Sequence, residues 1–144
     1  MKKKLLSLLL AVAMVVTLAA CGEKKPTPGK DATATEPVVI LHTNDVHGAI
    51  ENYAKVAVLA SQYESEGAYV LILDAGDFSQ GTSYVSLSEG AAAIELMNMT
   101  GYDAAALGNH EFDYGFEALK KNMESAGFPV LAANVKYNGE LAFD

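Results

Sequence analysis

Residues 69–77 read YVLILDAGD. Tyr69 to Leu73 is an unbroken apolar run of β-forming residues, too short for an ordinary helix and of the right length for a buried strand. At Asp74 the character changes at once. Asp74-Ala75-Gly76-Asp77 brings two carboxylates and a glycine to the place where the strand must stop. A buried strand that empties into a polar turn is the signature of an α/β sheet whose functional groups sit at the strand ends.

The same pattern recurs on both sides. Upstream, Val38-Val39-Ile40-Leu41 predicts a strand after Pro37, and it runs into Asn44-Asp45-Val46-His47-Gly48. Downstream, 103–107 predicts a weaker strand that runs into Gly108-Asn109-His110-Glu111. Helices are expected between them. Over 53–66, Val56, Leu59, Ala60 and Tyr63 share one face. Over 89–100, Ile94 and Met97 point inward, and Gly101 is the stop. Residues 78–86 are polar and rich in Gly and Ser, hence a loop. Phe116, Leu119 and Met123 mark a helix across 115–125 that ends by Gly127, followed by a fourth strand over 129–133. Residues 135–141 predict a hairpin turning at Asn138-Gly139. Alternating strands and helices imply an α/β fold of adjacent βαβ units, with three polar clusters side by side at the strand C-terminal ends.

The N-terminus reads as an export signal. Lys2, Lys3 and Lys4 precede a low-polarity run from Leu5 to Leu18, and Leu18-Ala19-Ala20-Cys21 follows. The run is shorter than the ~20 residues that span a bilayer, which favours a cleaved signal over a transmembrane anchor. Cys21 is the only cysteine, so it forms no internal disulfide. Leu-Ala-Ala-Cys is similar to a bacterial lipobox, whose cysteine is lipidated; an ordinary signal peptide with an unpaired thiol is the alternative. The expected division is a lipoprotein signal at 1–20, a lipid-anchor cysteine and flexible tether at 21–36, and a folded region at 37–144. The tether holds two prolines, three threonines and three lysines, with no large apolar residue. The expected location is outside the cytoplasmic membrane, on its outer face or in the periplasm, held to the membrane through Cys21.

Without residues 1–20 the chain carries seven lysines, eighteen acids and no arginine, a net charge of −11. Such a surface repels nucleic acid, which is bound through Lys and Arg. There is also no guanidinium to clamp a phosphate. For a phosphate-ester substrate the positive charge would have to come from metal ions, while simple solubility explains the charge equally well.

Asp45 and His47 are two residues apart and can face one ion together. Asp77 follows a glycine that lets the backbone approach a ligand closely. Its carboxylate can bridge two cations or cap a turn. Asn109 offers a neutral carbonyl ligand, though turns also favour asparagine. Asp113 lies three residues beyond His110. A hydrogen bond between them would fix the imidazole tautomer and favour its charged form, suiting a general acid or a stabiliser of developing charge. A purely structural His–Asp contact is the alternative. His42, Asn44 and Glu111 read as structural or supporting residues, Phe78, Phe112 and Tyr114 as packing, and Lys120-Lys121 as a solvated face.

Taken together, ILHTNDVHG (40–48), LDAGDFSQG (73–81) and YDAAALGNHEFDYG (102–115), with LAANV (131–135), resemble the calcineurin-like metallophosphoesterase superfamily. Within it they are most similar to the N-terminal part of the bacterial 5′-nucleotidase / 2′,3′-cyclic phosphodiesterase / UDP-sugar hydrolase family. The resemblance covers roughly residues 38–137. It implies an α/β fold that is the N-terminal portion of a four-layer αββα sandwich. It implies two divalent ions, among Zn, Mn, Mg, Ca and Co. Asp45 and His47 would hold the first ion, Asp77 would bridge both, and Asn109 would hold the second. His110 and Asp113 would form the catalytic dyad. The implied reaction is hydrolysis of a nucleotide or related phosphate ester by a metal-bridging hydroxide.

The resemblance also implies ligands that have no counterpart here. The family's later histidines and its His- or Gln-bearing segment are missing, since the only histidines are 42, 47 and 110. The nucleoside-recognising C-terminal domain is absent too. The expectation is therefore the N-terminal part of a longer phosphoesterase, with the missing C-terminal region of the same enzyme as its partner. The alternatives are a truncated, non-catalytic metal-binding product and a cyclic phosphodiesterase or UDP-sugar hydrolase on the same scaffold.

Overall fold

The computed structural model describes residues 36–143. The expected signal at 1–20, the anchor Cys21 and the tether up to residue 35 lie outside them.

The β-branched run at Val38 extends as β1 (Val38–Thr43), and the apolar run from Tyr69 forms β2 (Tyr69–Asp74). Between them lies α1 (Ile50–Ser65). After β2 come a single helical turn, α2 (Ser83–Ser86), then α3 (Ala91–Thr100) and β3 (Ala104–Ala106). A 3-10 turn (His110–Phe112), α4 (Phe116–Ser125), β4 (Val130–Leu131) and a hairpin of β5 (Lys136–Tyr137) and β6 (Glu140–Leu141) complete the chain. β1, β2, β3 and β4 form one parallel sheet in that order. The expected α/β fold is therefore present, as one layer of helices on one parallel sheet among the described residues.

Parallel order is what assembles the site. Thr43 pairs with Asp74, and Asp74 with Ala105, so the three strands end at the same edge. The three polar clusters leave from that edge together, because neighbouring parallel strands have their C-terminal ends on one side.

The core lies on the helix side of the sheet. Val70 and Ile72 of β2 and Ala105 of β3 pack with Tyr53, Ala60, Ile94, Met97 and Tyr102. α3 sits between α1 and α4 and buries Ala92, Ala93, Ile94 and Met97. Gly101 is left-handed and closes the helix, as expected. On the opposite sheet face Val38 and Ile40 are each 58% exposed and Leu131 is 62% exposed.

Several boundaries differ from the expectation. α1 begins at Ile50, three residues early, which brings Tyr53 inward at 2% exposure. The buried stripe then runs 53, 56, 60 and 63, leaving Leu59 40% exposed at its flank. The stretch 78–86 is not all loop, because Val85 is fully buried and anchors the α2 turn. β4 is shorter than 129–133 because only Val130 and Leu131 find ladder partners, on β3. The hairpin turns at Asn138-Gly139, both with positive φ, the primed-turn geometry of an Asn-Gly pair. Its Tyr137 ring stacks on Phe116 with centroids 4.1 Å apart, tying the hairpin to the start of α4.

Candidate metal centre

Three loops build the site. Asp45 and His47 leave β1, Asp77 leaves β2, and Asn109, His110 and Asp113 leave β3. Ligand atoms of Asp45, His47 and Asp77 all lie within 4.8 Å of one another. His47 Nε2 stands 3.8 Å from Asp45 Oδ1.

These three residues share a backbone feature. Asp45, His47 and Asp77 have φ of 51°, 47° and 63°. Left-handed backbone costs a non-glycine residue on the order of 1 kcal/mol, and it persists only where surrounding contacts enforce it. Here the contacts are visible. Asp45 N–H donates to the Gly76 carbonyl at 3.0 Å, and His47 N–H donates to the Asp77 carbonyl at 3.1 Å. The first two loops are thus laced together by the backbone of the candidate ligand residues. Two carboxylates and an imidazole, converging on one point from strained backbone, fit a divalent cation.

The third loop is joined through Asp77 and Glu111. Asp77 Oδ1 accepts the His110 N–H at 2.9 Å. The carboxylate packs so closely on Gly108 that a Cβ there would strike it. Asn109, the remaining expected ligand, is exposed between these two residues, on the loop that Asp77 touches. Glu111, only 2% exposed, accepts four backbone N–H groups. Its Oε2 takes those of Asp77 at 2.9 Å and Gly108 at 2.6 Å, and its Oε1 takes those of Phe78 at 2.9 Å and Ser79 at 3.1 Å. The expected supporting role of Glu111 is therefore a specific one, binding the second loop to the third.

His110 and Asp113 are paired as their spacing suggested, with Nδ1 to Oδ2 at 2.7 Å. That hydrogen bond holds the imidazolium above the usual histidine range, and the charges of Asp113, Asp77 and Glu111 add to the effect. The His110 ring meets the His47 ring edge-on with centroids 5.1 Å apart. The dyad is thus seated beside the ligand trio. Asn44 donates to Asp45 Oδ2 at 2.7 Å, which orients that ligand. His42 lies in β1 and is exposed. Phe78 is buried, whereas Phe112 is 38% exposed and packs only in part.

Sequence reasoning passed over Asp74. It is 4% exposed, and burial pushes its carboxyl up to about 6, with the Glu111 and Asp45 charges adding and hydrogen bonds from Thr43 and Gly76 opposing. The alternation of β2 carried the signal: Val70 and Ile72 face the core, so Asp74 must as well.

The sequence matches the calcineurin-like phosphoesterase family over residues 38–142. It is 37% identical to a 5′-nucleotidase of Vibrio vulnificus (strain CMCP6), over 93% of this chain and 26% of that protein. It is 40% identical to a 5′-nucleotidase of Bos taurus, over 73% of this chain and 21% of that protein. In structure it is similar to a 5′-nucleotidase precursor from Thermus thermophilus, with a TM-score of 0.63 and 35% identity, over 67% of this chain and 22% of that one. The chain thus spans about a fifth to a quarter of the length of these relatives. Because the match runs through all three loops that carry the candidate ligands and the His110–Asp113 pair, the chain belongs to the calcineurin-like phosphoesterase family.

Proposed function

We propose that this site serves metal-dependent hydrolysis of nucleotide phosphate esters in the manner of a 5′-nucleotidase, with this chain supplying the N-terminal share of the site. The observation that carries the reading is the His110–Asp113 pair at 2.7 Å, set edge-on against His47 of the ligand trio. Divalent ions bound there would polarise the phosphoryl oxygens and acidify a water.

The chain's own residues do the rest. Asp45, His47 and Asp77 would hold one ion, and Asp77 with Asn109 would hold a second. Asp113 engages Nδ1 of His110, leaving Nε2 to carry its proton toward the substrate. The hydrogen bond to Asp113 raises the affinity of His110 for that proton. A cation there neutralises charge on the phosphoryl oxygens or protonates the leaving oxygen. With no arginine in the chain, His110 when protonated is the positive group this chain would bring to the site. The leader and the Leu18-Ala19-Ala20-Cys21 stretch support an exported, lipid-anchored placement for the enzyme.

The test is Mn²⁺-dependent phosphate release by the purified chain from 5′-AMP, a 2′,3′-cyclic nucleotide and UDP-glucose, beside His110→Ala. Preference for 5′-AMP, with a loss of about 10²–10⁴ in rate in the variant, is expected. Equal rates in wild type and variant contradict the role of His110, and preference for another substrate reassigns the activity. A second reading is metal binding without turnover, for which the convergence of the trio suffices by itself. Saturable Mn²⁺ binding without phosphate release establishes that reading.

A further inference from the structure

Behind the ligand trio lies a hydrogen-bonded chain of buried and half-buried side chains that contact no ligand atom directly. Thr43 Oγ1 donates to Asp74 Oδ2 at 2.5 Å, and Tyr102 Oη lies 2.7 Å from the same Thr43 oxygen. A threonine hydroxyl has one proton. That proton goes to the carboxylate, so Tyr102 donates to Thr43. With Asp74 ionised, the chain runs from Tyr102 to Thr43 to Asp74. At its far end Asp74 Oδ1 accepts the Gly76 N–H at 2.7 Å.

Gly76 is where this chain meets the site. Its carbonyl accepts the Asp45 N–H at 3.0 Å, and its next neighbour in sequence is Asp77. It has a φ of +104°, and a Cβ on it would collide with the Gly108 backbone. One residue therefore touches all three loops. Asp74 holds that residue by its amide, and Thr43 holds the adjacent strand end, where the Ala75 N–H donates to the Thr43 carbonyl at 2.9 Å. The anchor is deep, since Tyr102 is 5% exposed and packs ring against ring with Tyr53 at 6.2 Å and Phe128 at 6.2 Å.

We propose that Asp74 is a positioning residue for metal binding: held by Thr43 and Tyr102, it locks the Gly76 peptide and so fixes Asp45 and Asp77 in the geometry that takes up a divalent ion. The inference rests on the metal-dependent reading of the site. It assigns a function to a buried carboxylate that the catalytic scheme leaves idle, and it explains why a charge is kept beneath the site. A neutral side chain would hold the Gly76 amide less firmly, because hydrogen bonds to an ionised acceptor are the stronger kind.

The test uses the 144-residue chain and Mn²⁺ alone as the probe. Mn²⁺ affinity is measured by calorimetric titration for wild type, Asp74→Asn, Thr43→Val, Thr43→Ser and Tyr102→Phe, with a urea unfolding curve for each. Groups that orient metal ligands typically change affinity by roughly 10–100-fold. Thr43→Val and Asp74→Asn are expected to weaken Mn²⁺ binding by about tenfold or more, Tyr102→Phe by less, and Thr43→Ser to restore wild-type affinity. Thr43→Val keeps the side-chain shape, so it reports on the hydroxyl even if Asp74→Asn does not fold. Variants that unfold more easily but bind Mn²⁺ as tightly as wild type would show a merely structural network and overturn the inference alone. Wild type that binds no Mn²⁺ would overturn the metal-dependent reading and the inference with it.

Discussion

Glu111 Oε2 accepts the backbone N–H of Asp77 at 2.9 Å, across 34 residues of sequence. This bond and those from the Phe78 and Ser79 N–H groups join the loop carrying Asp77 to the loop carrying His110, while the Gly108 N–H ties Glu111 within its own loop. A glutamine has one acceptor oxygen, and its NH₂ would face amide donors. Glu111→Gln is therefore expected to lower the unfolding free energy by on the order of 3 kcal/mol, since buried donors would lose a charged acceptor. Urea denaturation checks this. A midpoint shift no larger than that of an exposed glutamate, such as Glu117→Gln, contradicts the role.

Gly76 has a positive φ and no room for a side chain against Gly108. Gly76→Ala is expected to destabilise the fold by more than the roughly 1 kcal/mol that glycine normally costs in the opposite direction. It should also separate the second loop from the third, seen as faster amide exchange at Asp77, Phe78 and Ser79. Unchanged exchange at those amides would show that the close approach does not hold the loops.

Tyr53 makes the opposite prediction. Its hydroxyl is buried with no hydrogen-bond partner among the described residues, and burial beside Asp74 pushes its pKa well above the usual tyrosine value. Leaving a buried polar group unpaired costs about 1–3 kcal/mol. Tyr53→Phe keeps the ring and removes the cost, so it is expected to be neutral or to stabilise by about 1 kcal/mol. A clear loss of thermal stability would reveal a partner for that hydroxyl.

Asp74 should leave a mark on stability against pH. Its folded pKa of about 6 lies above its unfolded value of 3.8, so the folded state binds the proton more tightly. The associated stability is present in full below the unfolded value and is lost as pH rises through about 6. In the metal-free protein, the difference in unfolding free energy between wild type and Asp74→Asn should fall by on the order of 2–3 kcal/mol between acid and neutral pH. A flat difference, or one that grows with pH, contradicts the assignment. The protein thus keeps an ionised Asp74 at neutral pH at a cost in stability, as expected of a group retained for a site.

Much of this was legible in the sequence, and the physical reasons are specific. β2 was visible because an apolar run of that length has few other uses, and the Asn138-Gly139 turn because that pair suits positive φ so well. The pairing of His110 with Asp113 followed from local spacing. What stayed hidden depends on contacts between distant residues. Nothing local marks Thr43 as the partner of both Asp74 and Tyr102, because that trio meets only through strand register. The α2 turn was hidden because the burial of Val85 decides it against a polar, Gly- and Ser-rich local sequence. The left-handed backbone of Asp45, His47 and Asp77 is likewise enforced from neighbouring loops rather than by the residues themselves.

The most direct test of a metal centre at these strand ends is a calorimetric Mn²⁺ titration of the purified chain beside Asp45→Ala, His47→Ala and Asp77→Ala. Saturable binding by wild type is expected, and each substitution should abolish it at the point where the three side chains converge. Wild-type binding that survives unchanged in the three variants, or no binding by wild type, would contradict such a centre.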